Sequence, residues 1–229
     1  MPSRMIDQEL LNAAQAGDAA TVSLLLAREA SPRSKTSAAL RGAAESGHEE
    51  CVRLLLPVSD PKALDSQALR FAAENGHEEC VRLLLPVSSP KAVESYALRM
   101  AALYGSAECV RLLLPVSNAK AEHSAALRWA ATYGHAECVR MLLAASGPLS
   151  ESGGLLEKVF ERGHAKVAAL IIEEAPSLID GINLPKCLAE ALEKKHGDLA
   201  AYLSSIMDQK ELLRIAPDHT VLAPARARL

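Results

Sequence analysis

Cysteine and histidine are the side chains in this sequence that could most readily ligate a metal ion. Four cysteines recur with a step of 29 residues, namely Cys51, Cys80, Cys109 and Cys138. Four histidines each follow a glycine, namely His48, His77, His135 and His164. Metal-binding cysteines usually stand close together, as in Cys-x-x-Cys, and no such pair occurs here. We therefore expect small buried cysteines and no bound metal.

Disulfide bonds and catalysis are not expected either. A disulfide requires Cα atoms closer than ~7 Å, whereas equivalent positions on stacked helices lie ~8–10 Å apart. The sequence contains no Gly-x-Ser-x-Gly, Walker, His-Glu-x-x-His or dinucleotide-binding motif. Gly153-Gly154 has no preceding strand and is interpreted as a linker. The sequence thus predicts no enzyme, no catalytic residue and no cofactor.

The composition favours a helical protein without a strong electrostatic field. Hydrophobic residues make up 49% of the 229 residues but aromatic residues only 3%, because the apolar content is mostly Leu, Ala and Val. Leu and Ala favour helices, and the scarcity of aromatic residues argues against an all-β fold. The net charge of −3 gives no reason to expect nucleic acid or an anionic membrane as a partner.

The first residues and the longest hydrophobic runs bear on localisation. The segment from Met1 to Glu9 lacks the apolar core of a signal peptide, and no apolar run approaches the ~20 residues that span a bilayer. We expect a cytoplasmic protein, or one that is secreted into a host cell without a cleaved signal peptide.

An internal repeat of 29 residues decides the architecture. The tripeptide Ala-Leu-Arg begins at residues 39, 68, 97 and 126. A glycine recurs with the same step, at Gly47, Gly76, Gly105, Gly134 and Gly163. Units that repeat without insertions are typical of solenoids, in which each unit buries its apolar stripe against its neighbours.

Each unit carries the signals for two helices. A serine precedes the first apolar run, at Ser37, Ser66, Ser95 and Ser124, and is predicted to cap the first helix. The recurring glycine ends that helix because glycine adopts the left-handed conformation at little cost. The second helix is predicted from Glu49 to Leu56, with Cys51 and Leu55 in its apolar stripe, and Pro57 stops it.

Residues 72–85 closely resemble the ankyrin repeat, whose unit contains Ala-Ala-x-x-Gly-His followed by a leucine-rich helix. The resemblance covers roughly residues 8–207. It implies an all-α, ankyrin-like helix–turn–helix solenoid of about six stacked units, with the first and last acting as caps. It also implies that the histidine after the recurring glycine has a structural role at the turn. The unit is shorter than the usual 33 residues, and the Thr-Pro-Leu-His signature is missing. The β-hairpin fingers of ankyrin repeats are therefore expected to be short or absent.

The expected organisation begins with an N-terminal segment at residues 1–7 and continues with the solenoid at 8–207. The units fall near 8–36, 37–65, 66–94, 95–123, 124–151, 152–183 and 184–207. Residues 208–229 are expected to form a helical turn and a flexible tail that ends in a short basic stretch. The main interpretation of this tail is a frayed terminus, and the alternative is a docking or sorting peptide.

A few positions vary between units while the framework is copied. By the ankyrin resemblance, the variable pair after Ala-Ala lies at the exposed end of the first helix, beside the concave groove. The predicted partner-binding residues are Glu45, Ser46, Glu74, Asn75, Tyr96, Leu103, Tyr104, Trp129, Thr132 and Tyr133. Tyrosine is common in binding hot spots because it combines a large contact area with a hydroxyl group. Drift on a solvated face is the alternative interpretation.

The resemblance implies a non-catalytic scaffold that recognises a partner protein through the concave face of the stack. The expected partner is another protein, without nucleic acid or membrane, and the chain is expected to be a monomer. The alternative is a secreted effector or a toxin-neutralising inhibitor that uses the same surface.

Overall fold

A computed structural model describes residues 2–28, 37–146 and 154–215, with the side chains of residues 6–28, 37–146 and 154–211. The described chain forms seven helix pairs. Their helices are α1 Pro2–Ala16, α2 Ala19–Ala27, α3 Ala38–Ser46, α4 Glu49–Leu55, α5 Ala63–Glu74, α6 Glu78–Leu84, α7 Ala92–Leu103, α8 Ala107–Leu113, α9 Ala121–Thr132, α10 Ala136–Leu143, α11 Leu155–Glu161, α12 Ala165–Glu174, α13 Leu184–Glu193 and α14 Gly197–Ile215.

The pairs stack into two layers of helices. The first helix of each pair packs against the first helices of its neighbours, so that the odd-numbered helices α1 to α13 form one continuous row. The second helices, α2 to α14, form the other row. We call the row of first helices the inner helices and the other row the outer helices. The predicted all-α solenoid is thus confirmed.

The core runs between the two layers along the whole stack. From α3 to α10, the inner helices bury the leucine of Ala-Leu-Arg together with the Ala-Ala pair, and the outer helices bury a cysteine, a valine and a leucine. In α4 these are Cys51, Val52 and Leu55, each with no exposed surface. The pairs toward the two ends bury small and aliphatic side chains, such as Val22 in α2 and Ile171 in α12. The small alanine side chains allow neighbouring inner helices to pack closely, which explains why aromatic side chains are not needed to fill the core.

A histidine links most of the turns to the preceding pair, and Ser106 takes its place after Gly105. His77 Nε2 donates to the Glu45 carbonyl oxygen at 3.0 Å, and His135 and His164 make the same bond to Leu103 and Thr132 at 2.9 and 3.1 Å. Gly47, with φ 79°, leaves the space that the His77 ring occupies, since a Cβ there would lie 2.5 Å from Nδ1. The structural role expected for these histidines is confirmed.

The connection between pairs is short, and some of its residues adopt the left-handed backbone conformation. The outer helix α4 ends at Leu55 and passes into a 3₁₀ turn, Leu56–Val58, that contains Pro57. Leu64, Asp65 and Ser66 then adopt positive φ values of 50–57° before α5 resumes. Such a conformation costs non-glycine residues ~1–2 kcal/mol each. The Arg70 Nη2 group donates to the Leu64 carbonyl at 2.8 Å and so stabilises this segment.

The serines at the start of the inner helices do not act as N-caps, and this prediction was wrong. Ser37, Ser66 and Ser95 are buried and left-handed, and their side chains make no capping bond. Instead, Ser66 Oγ accepts a hydrogen bond from the backbone N–H of Ser89 at 2.8 Å, in the next connection. Each serine therefore joins two successive connections. The amide that it binds is too distant in the sequence for a capping pattern to indicate.

The ends of the chain differ from the expected organisation in detail. Seven helix pairs are present in the described residues, against about six expected, because α13 and α14 form a complete pair. The first helix already begins at Pro2, inside the segment expected at residues 1–7. The last helix extends to Ile215, and the expected tail beyond it lies outside the described residues. Gly153 and the rest of the linker before Gly154 also lie outside them.

Candidate binding surface on the inner helices

The variable residues of the repeat lie on the inner helices and at the turns that end them. Three rows can be followed with the step of 29 residues. The first row is Gly42, Phe71, Met100, Trp129 and Lys158; the second is Glu45, Glu74, Leu103, Thr132 and Glu161; the third is Ser46, Asn75, Tyr104, Tyr133 and Arg162. We call the surface formed by these rows the inner-helix face. Its residues change from one pair to the next while the core beneath them stays constant.

Arginine and aromatic side chains alternate along one edge of this face. The guanidinium of Arg70 lies 5.3 Å from the centre of the Tyr96 ring, and that of Arg99 lies 5.6 Å from both Tyr96 and Trp129. These distances suit cation–π attraction. Each arginine also donates from Nη2 to a carbonyl of its own left-handed segment, as Arg99 does to Val93 at 3.0 Å. Tyr96 and Trp129 are therefore held in place and only partly exposed.

An open cleft of about 610 Å³ lies where α9 meets α11. The residues that line it are Leu103, Arg128, Trp129, Thr132, Tyr133, Leu155, Lys158, Glu161 and Arg162. The contact between α9 and α11 is smaller than the contacts between the preceding inner helices, which leaves room for this cleft. Its walls combine two aromatic rings with three cationic side chains, a composition suited to a ligand that carries both apolar and anionic groups.

The cleft brings together four of the predicted binding residues: Leu103, Trp129, Thr132 and Tyr133. Tyr133 is 49% exposed, and Tyr104, its equivalent in the preceding pair, is 56% exposed. Tyr96 lies at the opposite end of α7 from Tyr104, eight residues or about 12 Å along the helix. The three tyrosines therefore do not form one patch: Tyr104 and Tyr133 are at the turns, and Tyr96 is packed between arginines.

The remaining predicted residues lie on the first part of the same face. Glu45 and Ser46 are exposed at the end of α3. Glu74 is partly buried at the end of α5, and Asn75 is exposed and donates from Nδ2 to the Phe71 carbonyl at 2.9 Å. Asn75 thus contributes to ending its helix, whereas the two carboxylates add negative charge to this end of the inner-helix face.

Sequence comparison missed five residues of the cleft: Arg128, Leu155, Lys158, Glu161 and Arg162. Arg128 belongs to the constant framework, and comparison of variable positions passes over such residues. Lys158, Glu161 and Arg162 stand one repeat step beyond Trp129, Thr132 and Tyr133. Extending the three rows by one more unit would have found them, because Gly163 keeps the register.

The four cysteines of the outer helices are buried, and burial disfavours their ionised, reactive form. Burial, assisted by the nearby carboxylates Glu78 and Glu108, raises the pKa of Cys109 to about 12. Burial likewise raises the pKa of Cys80 and of Cys138 to about 11. The prediction of small buried residues is confirmed. Within the described ranges, no group of three or more His, Cys, Asp or Glu side chains could hold a metal ion.

Among the residues that the structure describes, no helix has both the length and the hydrophobicity that crossing a bilayer requires.

A family model of ankyrin repeats matches the sequence at residues 10–94 and 88–150, with three copies. The match covers more than half of the chain. No curated protein matches the sequence.

Proposed function

Because the chain belongs to the ankyrin repeat family, we propose that it is a non-catalytic scaffold that binds a partner protein on its inner-helix face. Ankyrin repeats mediate protein–protein interaction, and the family is typically a non-catalytic binding scaffold. The proposal thus makes two claims: the partner protein binds on the inner-helix face, and the chain has no enzymatic role.

The exposure of large side chains on this face is the observation that carries the proposal. Tyr104 and Tyr133 are about half exposed on neighbouring turns, although the chain contains only four tyrosines. The cleft beside Tyr133 adds the partly exposed Trp129. Aromatic side chains that remain accessible above a rigid framework are typical of binding hot spots, because they bury much area with little loss of side-chain freedom.

The outer helices offer a less suitable surface. Their exposed residues form ion pairs within the stack: Arg53 with Glu50 at 3.3 Å, Arg82 with Glu79 at 3.2 Å, and Arg111 with Glu108 at 3.0 Å. These pairs are exposed and contribute little to stability, typically ~0.3–0.5 kcal/mol each. They repeat almost unchanged from pair to pair, so they provide little that would distinguish one partner from another.

Affinity capture from the native lysate, followed by mass spectrometry, tests the proposal. The baits are the wild-type chain, the Tyr104→Ala/Tyr133→Ala variant, and a control variant with Leu24→Ala and Val87→Ala. The control removes two exposed apolar side chains, one from the outer helix α2 and one from the 3₁₀ turn that follows the outer helix α6. Tyr96 is left intact because its loss would disturb the packed arginines.

A partner that binds the wild type and the control, but not the tyrosine variant, supports the inner-helix face. A partner retained equally by all three baits contradicts it. If the source lysate yields no partner, the target lies outside the source cell; the same baits are then tested against host extracts, as expected for an effector or a toxin-neutralising inhibitor.

A further inference from the structure

The charge carried by the three variable rows changes sign along the stack. The rows carry Glu45 and Glu74 at the start and no charged side chain in the middle; at the α11 end they carry Lys158 and Arg162 with one carboxylate, Glu161. The chain as a whole has a net charge of −3. The cationic end is therefore a local feature of this face and not a consequence of a generally basic surface.

Arg128 is the third cationic side chain of the cleft, and the fold holds it in place. Its Nη2 group donates to the Glu122 carbonyl at 3.1 Å, in the left-handed segment of its own repeat. Its Nε group is buried and has no hydrogen-bond partner, while the residue as a whole is partly exposed and lines the cleft. An arginine that is already positioned loses less side-chain freedom when it binds a carboxylate.

The single carboxylate in the cleft is already engaged elsewhere. Glu161 forms an ion pair with Lys194 of α13 at 3.9 Å, and Lys194 also donates to the Glu161 carbonyl at 3.3 Å. Arg162 lies over the Tyr133 ring, 4.9 Å from its centre. The cleft therefore presents three positive charges, those of Arg128, Lys158 and Arg162, beside an aromatic wall and against one carboxylate, Glu161.

We propose that this cleft binds an acidic segment of an extended peptide, with Asp or Glu carboxylates at Arg128, Lys158 and Arg162 and an adjacent aliphatic side chain against Trp129 and Tyr133. The proposal rests on the proposed function and specifies the chemistry of the partner. Charge-assisted hydrogen bonds from arginine to carboxylate are about twice as strong as neutral ones. The aromatic wall adds apolar burial beside them.

A nucleic acid would meet this surface less well. Its phosphates would be attracted to the cleft, but its continuation along the face would meet the carboxylates of Glu74 and Glu45. A peptide carries charge only where its sequence places it, and so it can follow the change of sign along the stack. The same change of sign predicts that any basic residues of the bound peptide lie over the α3 end of the inner-helix face.

Selection from a randomised peptide display library on the immobilised full-length chain tests the proposal. Peptides enriched on the wild type are tested against Lys158→Gln/Arg162→Gln and against a control, Arg53→Gln/Arg82→Gln. Both variants remove two positive charges, but the control removes them from exposed outer-helix ion pairs. Circular dichroism checks that the helical spectrum of each variant is retained.

The expected peptides contain clustered Asp or Glu next to an aliphatic residue. Their Kd should rise by about tenfold or more in the cleft variant, which corresponds to 1.4 kcal/mol, and change little in the control. Trp129 is the only tryptophan of the chain, so its fluorescence should change on binding in the wild type. Replacing the acidic residues of a peptide by Gln should abolish both effects, and added salt should weaken them.

Three results would overturn the proposal: enrichment without a preference for acidic residues, equal affinity for the cleft variant and the control, or a single-stranded oligonucleotide that displaces the peptides. None of these results removes the general scaffold function, because capture of a protein from the lysate is a separate readout, and one of the two tyrosines that it tests, Tyr104, does not line the cleft. Conversely, loss of that capture leaves binding of acidic peptides to the cleft measurable on its own.

Discussion

Residues 37–146 and residues 154–215 build the same kind of stack from different connections. In the first region the left-handed connection recurs from pair to pair, with an arginine that donates to its carbonyl and a serine that bridges to the next connection. In the second region Glu157 stands where the arginine is expected. The outer helix α12 there leads through a separate 3₁₀ turn, Pro176–Ile179.

The turns differ only at the last pair. A glycine with positive φ lies against a histidine of the next pair in both regions, as Gly134 does with His164 and Gly163 with His196, although Gly76 meets Ser106 instead. In the last pair Lys195 takes the glycine position with φ 61°, and Lys194 donates to the Glu161 carbonyl. The buried leucines and alanines continue to α14. Core burial therefore runs through both regions, whereas the repeated arginine and serine contacts make residues 37–146 alike from pair to pair, and we call this part the uniform region. The cleft opens where the uniform region ends.

The largest expected effect is the loss of stability when a buried leucine is truncated, and it should differ between the two regions. Leu84 in α6 and Leu203 in α14 are both fully buried. Leu84→Ala should lower the free energy of unfolding of the stack by about 2–5 kcal/mol. Leu203→Ala should mainly promote local opening of the last pair, because a terminal repeat has one neighbour. Urea denaturation and amide hydrogen exchange measure the two effects; identical exchange patterns in both variants would contradict the contrast.

The second prediction tests the turns of the uniform region. Gly47→Ala places a Cβ against the His77 ring, whereas Gly76→Ala meets only the Ser106 hydroxyl, 2.7 Å from the added carbon. Both variants carry the strain of a positive φ, ~1–2 kcal/mol. Gly47→Ala should additionally disturb the bond from His77 to Glu45, at a further cost of about 1 kcal/mol. Thermal and urea unfolding compare the two, and an equal loss of stability would remove the role assigned to the histidine.

Lys195→Gly should make the last pair more like the uniform region. Lys195 has a positive φ without being glycine, so the substitution relieves strain and should raise the free energy of unfolding by about 1 kcal/mol. Lys186→Gly on the same pair serves as the control and should lower stability, because residue 186 lies within helix α13. Urea denaturation measures both; a loss of stability in Lys195→Gly would show that its side chain contributes more than the strain costs.

The smallest effect concerns cysteine reactivity and leaves stability unchanged. Cys51, Cys80, Cys109 and Cys138 are buried in the uniform region, whereas Cys187 in α13 is half-buried. Burial raises the pKa of Cys80 to about 11 and that of Cys109 to about 12, and it also raises the pKa of Cys187, so access of the reagent to the sulfur decides the difference. Iodoacetamide should therefore modify Cys187 first, as followed by peptide mapping. Uniform modification without denaturant would contradict the burial of the four thiols.

The helical solenoid could be predicted because its determinants are local and repeated. The alternation of Ala-Leu-Arg, glycine and the cysteine-containing helix fixes which side chains share a face, and α3 to α10 follow it closely. The binding residues could be predicted only in part. Leu103, Thr132 and Tyr133 were found as variable positions, whereas Lys158 and Arg162 were missed because the comparison of variable positions stopped one unit before them. The location of the partner on these residues stays a prediction.

The sequence by itself determined the period, the helix pairing and the buried positions, because hydrophobic spacing and glycine turns act over a few residues. Only the tertiary structure decided which distant groups meet. Ser66 bonds to the Ser89 amide rather than to its own helix, and Arg99 lies between Tyr96 and Trp129. The opening between α9 and α11 that brings Arg128, Lys158 and Arg162 to one cleft also depends on how pairs stack. Inter-unit distances and left-handed connections set these contacts, and no local pattern encodes them.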